Sequence, residues 1–425
     1  MTRYPFIFLS LLLLLGTACL SDPKQDQSVD ENPTMNTTVR TAAEILGDPD
    51  FQAISYGGYR DADHDIEPTV AQLKEDMRIL HAMGIRMLRT YKLHLPHAAN
   101  VVKAIHELKT EDPSFEMYVM LGAWIDCLHA WTDQAPDHDQ ESPRNAEEIA
   151  RAVEIAQQYP DIVKVIAVGN EAMVKWAAAY YVQPGVILKW VKHLQALKAE
   201  GELPADLWIT SSDNFASWGG GGPEYHVEDL NELIRSVDFI AMHTYPMHDT
   251  HYNPVFWGSR AEEAKASDSA RMEAAMLRAR DYAKSQYGSV KAYMEGLGVS
   301  IPIHITETGW ASASNGLYSP TKSRACDEYK MALYHQLIRD WTDEEGLSCF
   351  YFEAFDEPWK DAANPGGSEN HFGLFTVDGQ AKYAIWNLVD AGTFEGLTRD
   401  GNPIVKTHGG DASVVMEKAT VPPFH

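Results

Sequence analysis

Two glutamates stand where a carboxylate is expensive to keep. Glu171 ends the stretch Val168-Gly169-Asn170-Glu171, and Glu307 sits in Thr306-Glu307-Thr308-Gly309-Trp310. Both directly follow apolar runs, where an unpaired charge would be costly to bury. A salt bridge at the end of a strand would account for either one alone. Both together, among aromatic residues, point to chemistry. One carboxyl group can give a proton to a leaving oxygen while the other attacks the carbon being left, the two-carboxylate arrangement of glycoside hydrolysis. A separation of about 5–5.5 Å between them would imply retention of configuration.

Neutral sugars offer apolar faces and hydroxyl edges, so binding them calls for aromatic platforms with polar rims. Trp124, Trp131, Trp176, Trp218, Trp257, Trp310 and Trp359 fall in or soon after the same kind of segment. Of these, Trp310 and Trp359 are expected to touch sugar, and Tyr56 and Trp124 join them as candidate contacts. Trp190, Trp341 and Trp386 recur at helical spacing and read as core. The segment His243 to Arg260 is long and aromatic, suited to wall a cleft. It also holds His243, His248 and His251 with Asp249, which could suggest a metal. Their spacing fits no common ligand set, so no metal is expected.

The elements that must position these residues follow from alternation. Short apolar runs lie near Phe51–Tyr56, Ile85–Thr90, Met117–Gly122, Val163–Val168, Leu207–Ser211, Val237–Met242, Ile301–Thr306 and Ser348–Phe352. They have the length and composition of strands buried on both faces. Between them the spacing is helical. Leu73, Met77, Leu80 and Met83 line one face before Gly84, and Val186, Trp190 and Leu194 line another before Gly201. Asn145 with Glu148 makes a capping-box pattern, and a last helix is expected from Asp378 through Tyr383, Trp386 and Leu388. Eight strands, each followed by helical material, suggest one α/β domain, a single (β/α)8 barrel. A doubly wound open sheet competes, but no Gly-rich phosphate loop follows the first strand. Barrel active sites occupy the carboxyl ends of the strands, where Glu171 and Glu307 fall, on strands that face each other across the mouth.

The charge balance narrows the partner. Lys and Arg total 35 against 61 Asp and Glu, a formal charge of −26. Such a surface repels phosphate backbones, so nucleic acid is not an expected partner. At the N-terminus, Arg3 precedes the mostly apolar run Tyr4–Leu15 and then Gly16-Thr17-Ala18-Cys19. Residues 1–18 read as a secretory signal peptide, too short in its apolar part for a comfortable membrane span. The cysteine resembles that of a bacterial lipoprotein signal, although Gly16 stands where Leu is usual. This implies a lipidated Cys19, an acidic tether over 19–42, and an exported protein held by lipid at a bacterial outer membrane. The barrel is expected over 43–400, with a tail over 401–425. Cys127, Cys326 and Cys349 are too few and too scattered for a disulfide framework.

Taken in order, the strand-end motifs resemble glycoside hydrolase family 17, the β-1,3-glucanases of the clan with catalytic glutamates on strands four and seven. The resemblance runs from about Tyr56 to Tyr383. It implies Glu171 as proton donor, Asn170 as partner of a sugar 2-hydroxyl, and Glu307 as nucleophile. Phe355-Asp356-Glu357-Pro358-Trp359-Lys360 and His371-Phe372-Gly373-Leu374-Phe375 resemble the family's strand-eight segment, with Glu357 and Lys360 as charged support around the acid/base. Tyr91 matches an aromatic beside the cleaved sugar, and Tyr245 a tyrosine touching the nucleophile. Ala311 stands where the nucleophile motif usually has Pro. The implied activity is retaining hydrolysis of a neutral, laminarin-type β-1,3-glucan by a monomer without a cofactor. Transfer to a sugar acceptor, action on β-1,4-linked glucan or mannan, and non-catalytic glycan binding by a surface lipoprotein are the alternatives.

Overall fold

Strands that are apolar on both faces must be covered on both, and here they close on themselves. The structure, a computed structural model, describes residues 40–424. The expected leader, Cys19 and most of the expected tether lie outside the described residues. Eight parallel strands form a closed barrel in chain order: β1 (Gln52–Ser55), β2 (Ile85–Arg89), β3 (Tyr118–Ala123), β4 (Val163–Asn170), β5 (Trp208–Asn214), β6 (Ile240–His243), β7 (Ile303–Thr308) and β8 (Cys349–Tyr351). Closure is made by β1 against β8, with Ala53 opposite Phe350 and Ile54 opposite Tyr351. Each expected run is one of these strands.

Side chains along the strands divide between two cores. Ala53, Met87, Met120, Val165, Ala167, Ala241 and Phe350 pack together inside the barrel, with Ile45 and Leu46 from the short helix Ala42–Ile45. Their neighbours Ile54, Leu88, Leu121, Ile166, Val168 and Met242 pack outward against the helices. Those helices are α1 (Val70–Ala82), α2 (His97–Glu111), α3 (Asn145–Gln158), α4 (Pro184–Ala199), α5 (Glu228–Ser236), α6 (Asp268–Gly296), α7 (Glu328–Glu345) and α8 (Trp386–Asp390). Leu73, Met77 and Leu80 are the buried face of α1. Gly84 beyond it has φ +92° and Gly201 beyond α4 has φ +79°, the left-handed turn that ends a helix most cheaply at glycine.

Two local expectations are corrected. Asn145 and Glu148 do not cap α3, whose N-cap is Arg144 with no side-chain bond. Both side chains instead serve buried loop amides. Asn145 Oδ1 accepts from Asp126 N, while Glu148 accepts from Leu93 N and Trp124 N at 2.8 and 3.0 Å. The helix expected from Asp378 shrinks to a 3-10 turn over Tyr383–Ile385 and the short α8. There the chain is drawn into extended pairing, Ala381 bridging Phe375 on one side and Lys406 on the other.

The segment beyond Arg399 is tied to the barrel. The buried Lys330 donates to Thr420 O at 2.6 Å, and Ser259 N donates to Pro423 O at 2.8 Å. Asp76, fully buried on α1, holds a second tie. It accepts from Tyr56 Oη at 2.9 Å, Arg60 Nη2 at 3.0 Å and Arg399 Nε at 3.0 Å. Asp76→Ala would strand the buried Arg399 guanidinium and take one of two carboxylates from Arg60, which keeps Asp400 at 2.6 Å, and is expected to cost about 3–5 kcal/mol. Tyr56→Phe, which removes one neutral donor, should cost about 1 kcal/mol. Denaturant unfolding of the two variants checks the ratio.

Candidate active site

At the carboxyl ends of the strands the buried side chains become polar: Arg89, Ser212, His243, Thr306 and Glu307 are all buried there. β4 delivers Glu171 by a left-handed turn, with φ +84° at Gly169 and +47° at Glu171. A Cβ at Gly169 would lie 2.9 Å from that of Ala172, so glycine is required. The register of β4 on β5 shifts between Ala167 and Asn170, and Glu171 N then donates to Ser212 O at 2.9 Å. A left-handed non-glycine residue costs of order 1–3 kcal/mol, and such strain concentrates at functional positions. Glu307 needs no such turn, since it lies within β7.

The two glutamates meet over the barrel axis around one histidine. One oxygen of each carboxylate and a ring nitrogen of His243 lie within 4.8 Å of one another. Oxygens that close suit the about 5–5.5 Å separation of a retaining pair better than the roughly 6.5–9.5 Å that leaves room for an inverting water. His243 Nδ1 is 3.1 Å from Glu171 Oε1 and 3.4 Å from Glu307 Oε2, and its Nε2 is 2.7 Å from Ser212 Oγ. Arg89 reaches from β2 to both catalytic-face strands. Its Nη1 donates to Glu307 Oε1 and to Thr306 O, and its Nη2 donates to Asn170 Oδ1. The Tyr91 ring stacks under the guanidinium at 4.5 Å. Tyr245 Oη donates to the other oxygen of Glu307 at 2.9 Å.

These contacts drive the two carboxyl groups apart in acidity. Burial acts to raise Glu307, but His243 (in its protonated form), Arg89 and the hydroxyls of Tyr91 and Tyr245 outweigh it and hold the group well below the usual carboxylate range. Burial also lowers His243 to about 3, so the ring faces the pair uncharged. The lasting cation at Glu307 is therefore Arg89. Glu171 moves the other way. Burial first, then the negative charges of Glu307 and Asp213, raise it well above the usual carboxylate range. A divalent ion held by Glu171, His243 and Glu307 would lie beside Arg89, a like charge already bonded to Glu307, which opposes it there.

Residues 53–373 match the BtgE/BtgC glycoside hydrolase domain. The chain belongs to that glycoside hydrolase family. A solved endo-laminarinase from Formosa Hel1_33_131 is 63% identical, covering 91% of this chain and 98% of its own, with a TM-score of 0.90. A curated glucan 1,3-beta-glucosidase of Arthroderma benhamiae is 24% identical over 62% of this chain and 70% of its own length. The glycoside hydrolase family 17 β-1,3-glucanosyltransferase of Rhizomucor miehei, 20% identical with a TM-score of 0.53 over 79% of this chain and 96% of its own, shares the fold.

In this glycoside hydrolase a cleft of about 760 Å³ opens beside the pair. Its walls are the loops after β1, β2, β3 and β8, with Tyr180 from the loop after Glu171. Of the residues expected to bind substrate, Asn170, Tyr91, Trp124, Tyr56, Trp359, Glu357 and Lys360 line it. Tyr56 offers only its ring, because its hydroxyl is spent on Asp76. Tyr245 stands at Glu307 instead. Lys360 does not support either glutamate of the pair; it joins Glu353 at 2.7 Å and Glu357 at 3.4 Å. Glu357 in turn accepts from Tyr59 N and Trp359 Nε1, so this charged group braces the loops after β1 and β8.

Trp310 is corrected outright. It is fully buried, donates its indole N–H to Ala325 O at 2.8 Å, and packs on Trp257 and Tyr334. Trp218 and Trp257 are likewise buried with their N–H groups on Ala241 O and Ser323 O. The segment after β6 does not gather its histidines. His248 stacks between Tyr245 and Tyr318, and Asp249 accepts from Asn253 and Gln286. Three residues were missed as site residues: Arg89, His243 as the ring between the glutamates, and Glu148. The argument that singled out the glutamates, a charge ending an apolar run, applies equally to Arg89. Trp310→Phe is expected to lower the melting temperature while leaving KM for a glycan unchanged, which thermal unfolding and steady-state kinetics together check.

Proposed function

We propose that this protein hydrolyses β-1,3-glucan of the laminarin type by double displacement, with Glu307 as nucleophile and Glu171 as acid and then base. The observation that carries the reading is a pair of carboxyl groups at retaining distance, held in opposite protonation states at one end of a cleft. Similarity to an endo-laminarinase at 63% identity supports the substrate class.

Glu307 attacks the anomeric carbon while Glu171 gives its proton to the departing glycosidic oxygen. The covalent bond removes the charge on Glu307, the second-largest cause of the raised Glu171 pKa. Glu171 then ionises more readily and can take a proton from the water that releases the sugar. Arg89 and Tyr245 keep Glu307 an anion before attack, and Asn170, fixed by Arg89, is placed to meet the sugar 2-hydroxyl.

The tests follow from these roles. Glu307→Ala should lose activity and regain it with azide, giving a glycosyl azide of inverted configuration; rescue confined to Glu171→Ala would exchange the two roles. Arg89→Lys, which loses the fork, should lower kcat/KM about 10²-fold or more. For the pH profile, activity needs Glu307 ionised and is lost as pH falls through its depressed pKa. It needs Glu171 protonated and is lost as pH rises through its raised one. Asp213→Asn removes one of the charges raising Glu171, so the alkaline limb of kcat/KM should move to lower pH. Export and lipid attachment at Cys19 are proposed from Arg3, the apolar run and the cysteine; Cys19→Ser should move the protein from the membrane fraction to the soluble one.

A further inference from the structure

The wall of the cleft built by the loops after β1, β2 and β8 holds polar groups with nothing to bond. Tyr59 and His64 come from the loop after β1, Lys92 from the loop after β2 and Trp359 from the loop after β8, and all four line the cleft. The His64 ring lies 3.9 Å from the Trp359 ring, Tyr59 meets it edge-on at 5.7 Å, and Lys92 Nζ is 5.7 Å from its centre. The Trp359 N–H is already bonded to Glu357. The remaining polar atoms are not satisfied. Tyr59 Oη and His64 Nε2 are buried without partners. Lys92, in a chain with 61 acidic residues against 35 basic ones, makes no ion pair among the described residues. Leaving a buried donor or acceptor unpaired is costly, so two around one aromatic ring, with the half-buried Lys92 ammonium beside them, ask for a ligand with several hydroxyls.

The place of this box relative to the cleaved bond follows from the pair. Glu171 protonates the departing oxygen, so the departing chain lies on the side of the loop that follows Glu171. There Tyr180 leans on Trp124 at 5.2 Å and stacks with Trp131 at 5.1 Å. The box comes from the loops after β8, β1 and β2, the strands that follow β7 round the ring, whereas Trp124, Trp131 and Tyr180 come from the loops after β3 and β4.

We propose that Tyr59, His64, Lys92 and Trp359 form a subsite for a glucosyl unit on the non-reducing side of the cleaved bond, beyond the sugar that Glu307 attacks. Trp359 supplies the platform, and Lys92, Tyr59 and His64 bond the hydroxyls. This rests on the β-1,3-glucan reading and adds to it which residues reward a longer chain.

The experiment compares kcat/KM over laminari-oligosaccharides of increasing length, labelled at the reducing end with ¹⁸O, for the unmodified protein, Lys92→Met and Tyr59→Phe. In the unmodified protein kcat/KM should rise with length. In Lys92→Met that rise should shrink about tenfold, since a hydrogen bond to a charged group is worth about 1.5–3 kcal/mol, and in Tyr59→Phe a few-fold. The label should show cleavage no longer favouring products that fill the box. Tyr59→Phe keeps the ring and decides the matter if Lys92→Met does not fold. Equal loss at every length, or an unchanged length dependence, overturns the subsite while leaving the functional reading intact. An unmodified protein that cleaves no β-1,3-glucan overturns the functional reading, and the subsite with it.

Discussion

One buried guanidinium organises the site. Arg89 is shut away from water at the end of β2, where desolvation makes a cation unwelcome, and it is kept only because the groups around it are anionic or strongly polar. A buried ion pair of this kind does little for stability that an apolar pair could not do. What it does here is geometric. The planar fork spans from Glu307 on β7 to Asn170 on β4, so one side chain fixes Glu307 and the residue next to Glu171 together. Because the charge cannot be titrated away, Glu307 stays an anion and adds to burial in holding Glu171 protonated. The asymmetry between two chemically identical side chains begins at a third residue.

Much of this fold can be read from the chain, for a definite reason. Strands covered on both faces need apolar residues at every position, and such runs stand out against the amphipathic helices around them. The same contrast exposes Glu171 and Glu307, since a charge is conspicuous after Val163–Val168 or Ile301–Thr306. Residue type and neighbourhood carry that information without any knowledge of what lies opposite.

What was misread needed the third dimension. Asn145 and Glu148 have the spacing of a capping box, and they do bind amides. The amides belong to Leu93, Trp124 and Asp126, brought there by loops that no local pattern describes. Trp310 follows Glu307 closely in the chain, yet its indole finds an acceptor on Ala325 and a packing partner in Trp257, and it turns away from the cleft. Lys360 carries the right charge in the right motif, but its partners are Glu353 and Glu357. His243 was noticed as one of several histidines; its place between the glutamates depends on Ser212 lying across from it, on a different strand.

The tie through Asp76 also bears on how the polypeptide is made. Synthesis proceeds from the amino end, and Asp76 emerges long before Arg399, which lies 323 positions later. β1 must likewise wait for β8 before its free edge is paired. Until then the growing chain carries an open sheet edge and a carboxylate missing one of its buried counter-charges, so the ring can close only after β8 has been made. A nascent chain of this design has good reason to be shielded by the ribosome or a chaperone while it waits.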